Sequence, residues 1–155
     1  MNTQALKQFL ALEPLGSTDF HHEHDAIHAG NVRDAETLFR CLGYHILRNV
    51  NGSRAFFAQK MNHRLEVMDS QWAPEHTAFA VARREELTAT IQTLRAIPGQ
   101  FEIIESKEDD EFFGQVLFRH RHTGSVMQVV WRKTPLFANV FGEGFAQTDD
   151  AATAE

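Results

Sequence analysis

Two stretches of this chain follow one pattern, and that repetition limits its folds more than any other feature. His24 opens the strand-like run His24-Asp-Ala-Ile, and further on Glu66 sits inside Leu65-Glu66-Val67. His76 opens His76-Thr-Ala-Phe in the same way, and Gln128 sits inside Met127-Gln128-Val129. Each copy offers one imidazole and one carboxyl-type side chain. Nitrogen and oxygen donors from two related halves are what a divalent cation takes as ligands, so the repeat points to a metal site at a pseudo-symmetric centre.

The segments between these anchors repeat as well. His24 to Val32 alternates apolar and polar residues, the mark of a half-buried strand. Asn31 or Asp34 can cap a helix that runs through Phe39 and Leu42 and stops at Gly43. Tyr44–Val50 and Arg54–Gln59 read as strands around Asn51-Gly52, a dipeptide suited to a tight hairpin turn. His63–Asp69 is a further strand. In the second copy, His76–Ala82 is a strand, and Arg84–Ala96 is a helix with Leu87, Ile91 and Leu94 on one face. Strands then follow at Phe101–Ser106, Gly114–His120 and Val126–Arg132. The acidic stretch Glu105–Glu111 is expected as a solvated loop that absorbs the extra length of this copy.

These elements imply an α+β fold of two paired βαβββ modules. Residues 1–20 form an N-terminal extension with a short helical pattern (Ala5, Leu6, Phe9, Leu10). The modules occupy 21–71 and 72–134, and 135–155 is a flexible tail in which Val140, Phe141 and Phe145 could clip onto a neighbour. With 155 residues, the chain is long enough to bury a core. Its net charge of −6 argues against nucleic acid or an anionic membrane as partner. No apolar run approaches the length of a membrane span. The N-terminus lacks the grading of a secretory signal. The single Cys41 cannot form an internal disulfide and is expected as a small buried helix residue. The expected location is the cytoplasm. Thirteen phenylalanines against one tyrosine imply apolar core or interface.

The run from His24 to Tyr44 resembles the opening of the vicinal oxygen chelate superfamily, which includes glyoxalase I, methylmalonyl-CoA epimerase and extradiol dioxygenases. It has a strand beginning in His, then a helix, then Leu42-Gly43-Tyr44; Asn31 stands where many members have Asp. His76-Thr-Ala-Phe-Ala-Val resembles the start of the second module, and Gly124-Ser-Val-Met-Gln-Val-Val its closing strand. The resemblance covers residues 22–132. It implies a glyoxalase-like fold in which the modules pair into a cupped mixed sheet, a bound metal and a homodimer. Members with histidine on both opening strands usually place glutamate on the last strand; here that position is Gln128 and the glutamate is Glu66.

Period-two geometry puts His24, Ala26 and His28 on one strand face. Arg64 and Glu66 share a face on another strand, as do His76 and Ala78, and Val126 and Gln128. If these are the concave faces of the cup that the resemblance implies, His24, Glu66, His76 and Gln128 converge as ligands of one divalent ion: zinc, nickel, cobalt, manganese or iron. The implied activity is proton transfer next to a carbonyl of a small oxygen-chelating substrate, of the glyoxalase or epimerase type. Glu66 would act as general base, His28 as proton donor or orienting group, and Arg64 as substrate contact. Two alternatives are an iron dioxygenase using His24, His76 and Glu66, and a metal-free binding module walled by phenylalanines and Trp72. His21, His22, His120 and His122 are expected at the surface.

Overall fold

Asn31 starts the first helix by accepting a hydrogen bond from Asp34 N at 3.0 Å through its side-chain oxygen. That satisfies one of the backbone donors a helix leaves open at its start. The helix ends at Gly43, whose φ of +90° favours a residue without a Cβ. Gly43 N donates to Arg40 O and Tyr44 N to Phe39 O, the paired bonds that close a helix in a left-handed turn. The capped segment is α1, Val32–Cys41. A computed structural model places it among the following strands: β1 (His21–His28), β2 (His45–Arg48), β3 (Ala55–Lys60) and β4 (His63–Met68). The second copy contains β5 (His76–Val81), α2 (Arg84–Arg95), β6 (Phe101–Lys107), β7 (Phe113–His120) and β8 (Val126–Arg132). The structure describes residues 18–48 and 54–142. The expected N-terminal helical pattern, the Asn51-Gly52 turn and Phe145 lie outside the described residues.

Hydrogen bonding orders the strands β2-β3-β4-β1-β5-β8-β7-β6. The sheet is mixed, because β1 runs parallel to β4 while β2, β3 and β4 are antiparallel neighbours. This is the α+β arrangement of two βαβββ modules. The chain divides by contacts into residues 23–78 and a second unit made of the segments before and after them.

In the first unit, one sheet face carries Ile46, Phe56, Ala58, Leu65 and Val67, covered by Val32, Ala35 and Phe39 of α1. No residue of α1 is itself fully buried, and Leu38 and Leu42 stay exposed. Cys41, expected to be buried, is exposed: it closes a helix whose inward stripe is Val32, Ala35 and Phe39. On the opposite sheet face Ala26, Ala55 and Met68 pack with Trp72 and Ala73. Glu66 lies between Leu65 and Val67, so strand alternation directs it to this second face.

In the second unit, α2 buries Leu87, Ile91 and Leu94 against Val81, Phe101, Val116, Phe118 and Val129. Each such side chain contributes roughly 1.5–3 kcal/mol on leaving water. A Cβ at Gly114 would stand 2.5 Å from Leu87 Cδ2 and 3.3 Å from the Lys107 carbonyl, so a side chain there would force Leu87 of α2 to shift.

The acidic stretch departs from expectation. Glu105, Ser106 and Lys107 belong to β6, and the loop after them is tied down rather than merely solvated. Arg84 donates to the carbonyls of Glu108 and Asp110. Phe112 N donates to Asp110 at 2.8 Å, and this bond, aided by Lys107, holds the Asp110 carboxyl below its ordinary range. Phe137 and Val140 are buried, and Phe141 meets the His21 ring edge-on at 5.0 Å. None of the described helices is long and apolar enough to cross a membrane.

Candidate metal centre

Parallel pairing of β1 with β4 sets Ala26 opposite Glu66. His24, two residues earlier, shares the face of Ala26 and lies within reach of the same carboxylate. His76 enters at the start of β5. All three side chains are buried: His24 is 1% exposed, Glu66 7% and His76 8%. Glu66 Oε1 stands 3.8 Å from His24 Nε2 and 3.8 Å from His76 Nε2. The two rings are 5.8 Å apart between centroids, and the ligand atoms of the three residues all lie within 4.8 Å of one another.

The far side of each ring determines what its near side can do. His76 Nδ1 lies 2.8 Å from the carbonyl of Pro74, which can only accept, so Nδ1 carries the proton. His24 Nδ1 lies 3.0 Å from the Glu23 carboxylate, so it is protonated for the same reason. In a neutral imidazole of this form Nε2 is a lone pair. With Nδ1 engaged on its far side, each buried ring turns Nε2 toward the Glu66 carboxylate. Atoms ligating a common ion at about 2.0–2.2 Å are separated by roughly 3–4 Å, so these spacings suit one divalent cation. Two imidazoles and a carboxylate fit zinc, nickel, cobalt, manganese or iron.

Neighbouring contacts hold this constellation in place. Phe57, paired across the ladder with Glu66, meets the His24 ring edge-on at 5.5 Å. The segment before β5 is pinned to the end of β1: His28 Nε2 donates to Ala73 O at 2.7 Å, and His28 N donates to Glu75 at 3.0 Å. On the other face of the strands Thr77 Oγ1 donates to Asp25 at 3.2 Å.

The structure therefore brings His24, Glu66 and His76 together within residues 23–78. Gln128 belongs to the second unit, on β8 opposite Leu117. Its amide nitrogen donates to Gln115 Oε1, and its own Oε1 is buried with no hydrogen-bond partner among the described residues. His28 is exposed, and its ring is engaged with the Ala73 carbonyl. Arg64 is 8% exposed, and its Nε donates to the backbone carbonyl of Glu23 at 2.7 Å. Among the histidines expected at the surface, His22 and His122 are exposed. His120 is buried: its Nδ1 pairs with Thr123 Oγ1 at 2.9 Å in the β7–β8 turn, and its ring packs on Phe101.

Sequence reasoning missed Glu23, the Pro74 carbonyl and Phe57. A strict alternation sends Glu23 to the face opposite His24, so the pattern holds no signal for a bond between them. The backbone carbonyl of Pro74 is invisible to any reading of side chains. Phe57 was one of many phenylalanines until the register set it beside Glu66.

No family model and no curated protein matches this chain. Solved structures do. A variant of homoprotocatechuate 2,3-dioxygenase from Brevibacterium fuscum matches with 11% identity and a TM-score of 0.59, over 74% of this chain and 33% of that one. A catechol 2,3-dioxygenase matches with 14% identity and a TM-score of 0.53, over 79% and 45%. A Legionella pneumophila chain described as an NAD-dependent benzaldehyde dehydrogenase matches with 10% identity and a TM-score of 0.52, over 70% and 96%. The chain thus spans a third to a half of the two dioxygenases. With the paired βαβββ modules, these likenesses show that the chain shares the fold of the matched parts of these structures.

Proposed function

We propose that this chain is a divalent-metal-dependent enzyme that moves a proton next to a carbonyl on a small substrate able to chelate through two neighbouring oxygens. One observation carries the reading. Two buried imidazoles, each donating from Nδ1 to its partner there, present Nε2 to the same oxygen of Glu66 at 3.8 Å. His24, Glu66 and His76 would hold the ion. A cation there would supply Lewis-acid stabilisation of negative charge developing on a substrate oxygen.

The other roles fall to the chain's own groups. Glu66 is the one carboxylate among the three converging residues, and in this reading it would take up the substrate proton. His28 and Arg64 position the site: His28 anchors the segment that delivers His76, and Arg64 anchors β1 at Glu23. Phe57 supplies an apolar wall that keeps water from the His24 ring.

A second reading, an iron-dependent dioxygenase, is favoured by the same two-histidine, one-carboxylate donor set and by the two matched dioxygenase structures. Solvent exchange separates the two. Metal-loaded protein is incubated in deuterium oxide with a 2-oxo thioester or a glutathione hemithioacetal, and deuterium uptake is followed by mass spectrometry. The expected result is substrate-dependent uptake that Glu66→Gln lowers by about a hundredfold or more. Full uptake by Glu66→Gln would remove Glu66 as the base. Oxygen consumption with a catechol in place of exchange would move the assignment to the dioxygenase.

A further inference from the structure

We propose that Glu23 is a positioning residue that locks the His24 imidazole with its proton on Nδ1, so that Nε2 is held ready for a cation. The inference rests on the metal-dependent reading above and gives a role to Glu23, whose contact with His24 that reading leaves without a function.

The geometry of β1 is the starting point. Consecutive residues of a strand point to opposite faces, and His22, Asp25, Ile27 and His28 are all at least partly exposed. Glu23 and His24 break the alternation, being buried together at 2% and 1% exposure. The Glu23 carboxylate reaches the ring of the next residue, at 3.0 Å. Withdrawing a carboxylate from water costs several kcal/mol unless close polar partners repay it. A bond to the neighbouring histidine is a reason for accepting that cost, and a second contact fixes the backbone that makes it. Arg64, itself buried, donates from Nε to the carbonyl of Glu23 and clamps the residue from which the carboxylate springs.

The two histidines of the centre differ in this respect. His76 is oriented by a neutral carbonyl, that of Pro74, whereas His24 is oriented by a carboxylate. Both fix the same ring form, but an anionic partner also makes the opposite nitrogen a stronger donor. Glu23 thus gives the site a strong first ligand in His24. Its removal should be felt both in the metal-free ring and in the affinity for metal. Loss of such an outer partner lowers metal affinity by about 10–100-fold.

The test uses the full chain labelled with nitrogen-15 histidine, with His24 assigned by comparison with His24→Ala. Long-range nitrogen–proton spectra of the metal-free protein report which ring nitrogen carries the proton. The wild-type His24 is expected as the Nδ1–H form; finding the Nε2–H form overturns the proposal without any variant. In Glu23→Ala the Nε2–H population is expected to grow, and zinc affinity, read by competition with a chromophoric chelator, to fall about 10–100-fold. Glu23→Gln keeps an acceptor oxygen without the charge, so it should retain the Nδ1–H form and lose less affinity than Glu23→Ala. An unchanged ring form or an unchanged zinc affinity in Glu23→Ala overturns the proposal. A wild-type protein that binds no divalent cation refutes the metal-dependent function instead, while the spectra still decide the role of Glu23.

Discussion

Replacing His76 with alanine is expected to lower the affinity for a divalent cation by well over a hundredfold, since changing even an outer partner of a ligand costs about 10–100-fold. The substitution removes one of three converging donors and leaves His24 and Glu66, two ligands where structural and catalytic sites need at least three from the protein. His76 is also the donor whose ring is oriented by the Pro74 carbonyl. Isothermal titration of wild type and His76→Ala with zinc, nickel and manganese reads the effect. Equal affinities would mean that the cation binds elsewhere.

The second large effect concerns stability. A ligand that binds only the folded state stabilises it by about 4 kcal/mol at a free concentration a thousand times its Kd. For a chain of this size that corresponds to a rise in Tm of roughly 8–16 °C. The wild-type protein is expected to show this rise with a saturating cation, because the donors converge only when β1, β4 and β5 are assembled. Glu66→Gln is expected to show little or none of it. Its amide offers a neutral oxygen in place of the carboxylate, and the two imidazoles no longer face an opposite charge to that of the ion. Scanning calorimetry with and without metal gives the comparison. A Glu66→Gln protein that gains as much as wild type would mean that Glu66 is a bystander.

Much of this arrangement could be read from the chain because alternation along strands carries over directly into which face a side chain occupies. The period of two put His24 and Glu66 on definite strand faces, and the pairing of β1 with β4 brings them together; His76 also needs β5 beside β1, a neighbourhood expected only from the family resemblance. The helices were legible through Asn31, Gly43 and the Leu87, Ile91, Leu94 stripe, all local signals. The misreadings came from tertiary contacts with no local signature. Cys41 sits in a helix whose burial is decided by the sheet below it, and that sheet accepts Val32, Ala35 and Phe39 instead. His120 looked solvated among charged neighbours, yet Phe101 from the adjacent strand covers it. The acidic loop gained its order from Arg84, more than twenty residues earlier in the chain. Glu23 was hidden for a related reason: its carboxylate meets the ring of its neighbour, against the alternation that located that neighbour.

The most direct measurement is an anomalous difference map, recorded at the absorption edge of the cation, from crystals grown with that metal. A single strong peak is predicted among His24 Nε2, His76 Nε2 and the Glu66 carboxylate, at about 2.0–2.2 Å from each. A map with no peak there, or with its only peak at surface histidines, would contradict the proposed centre.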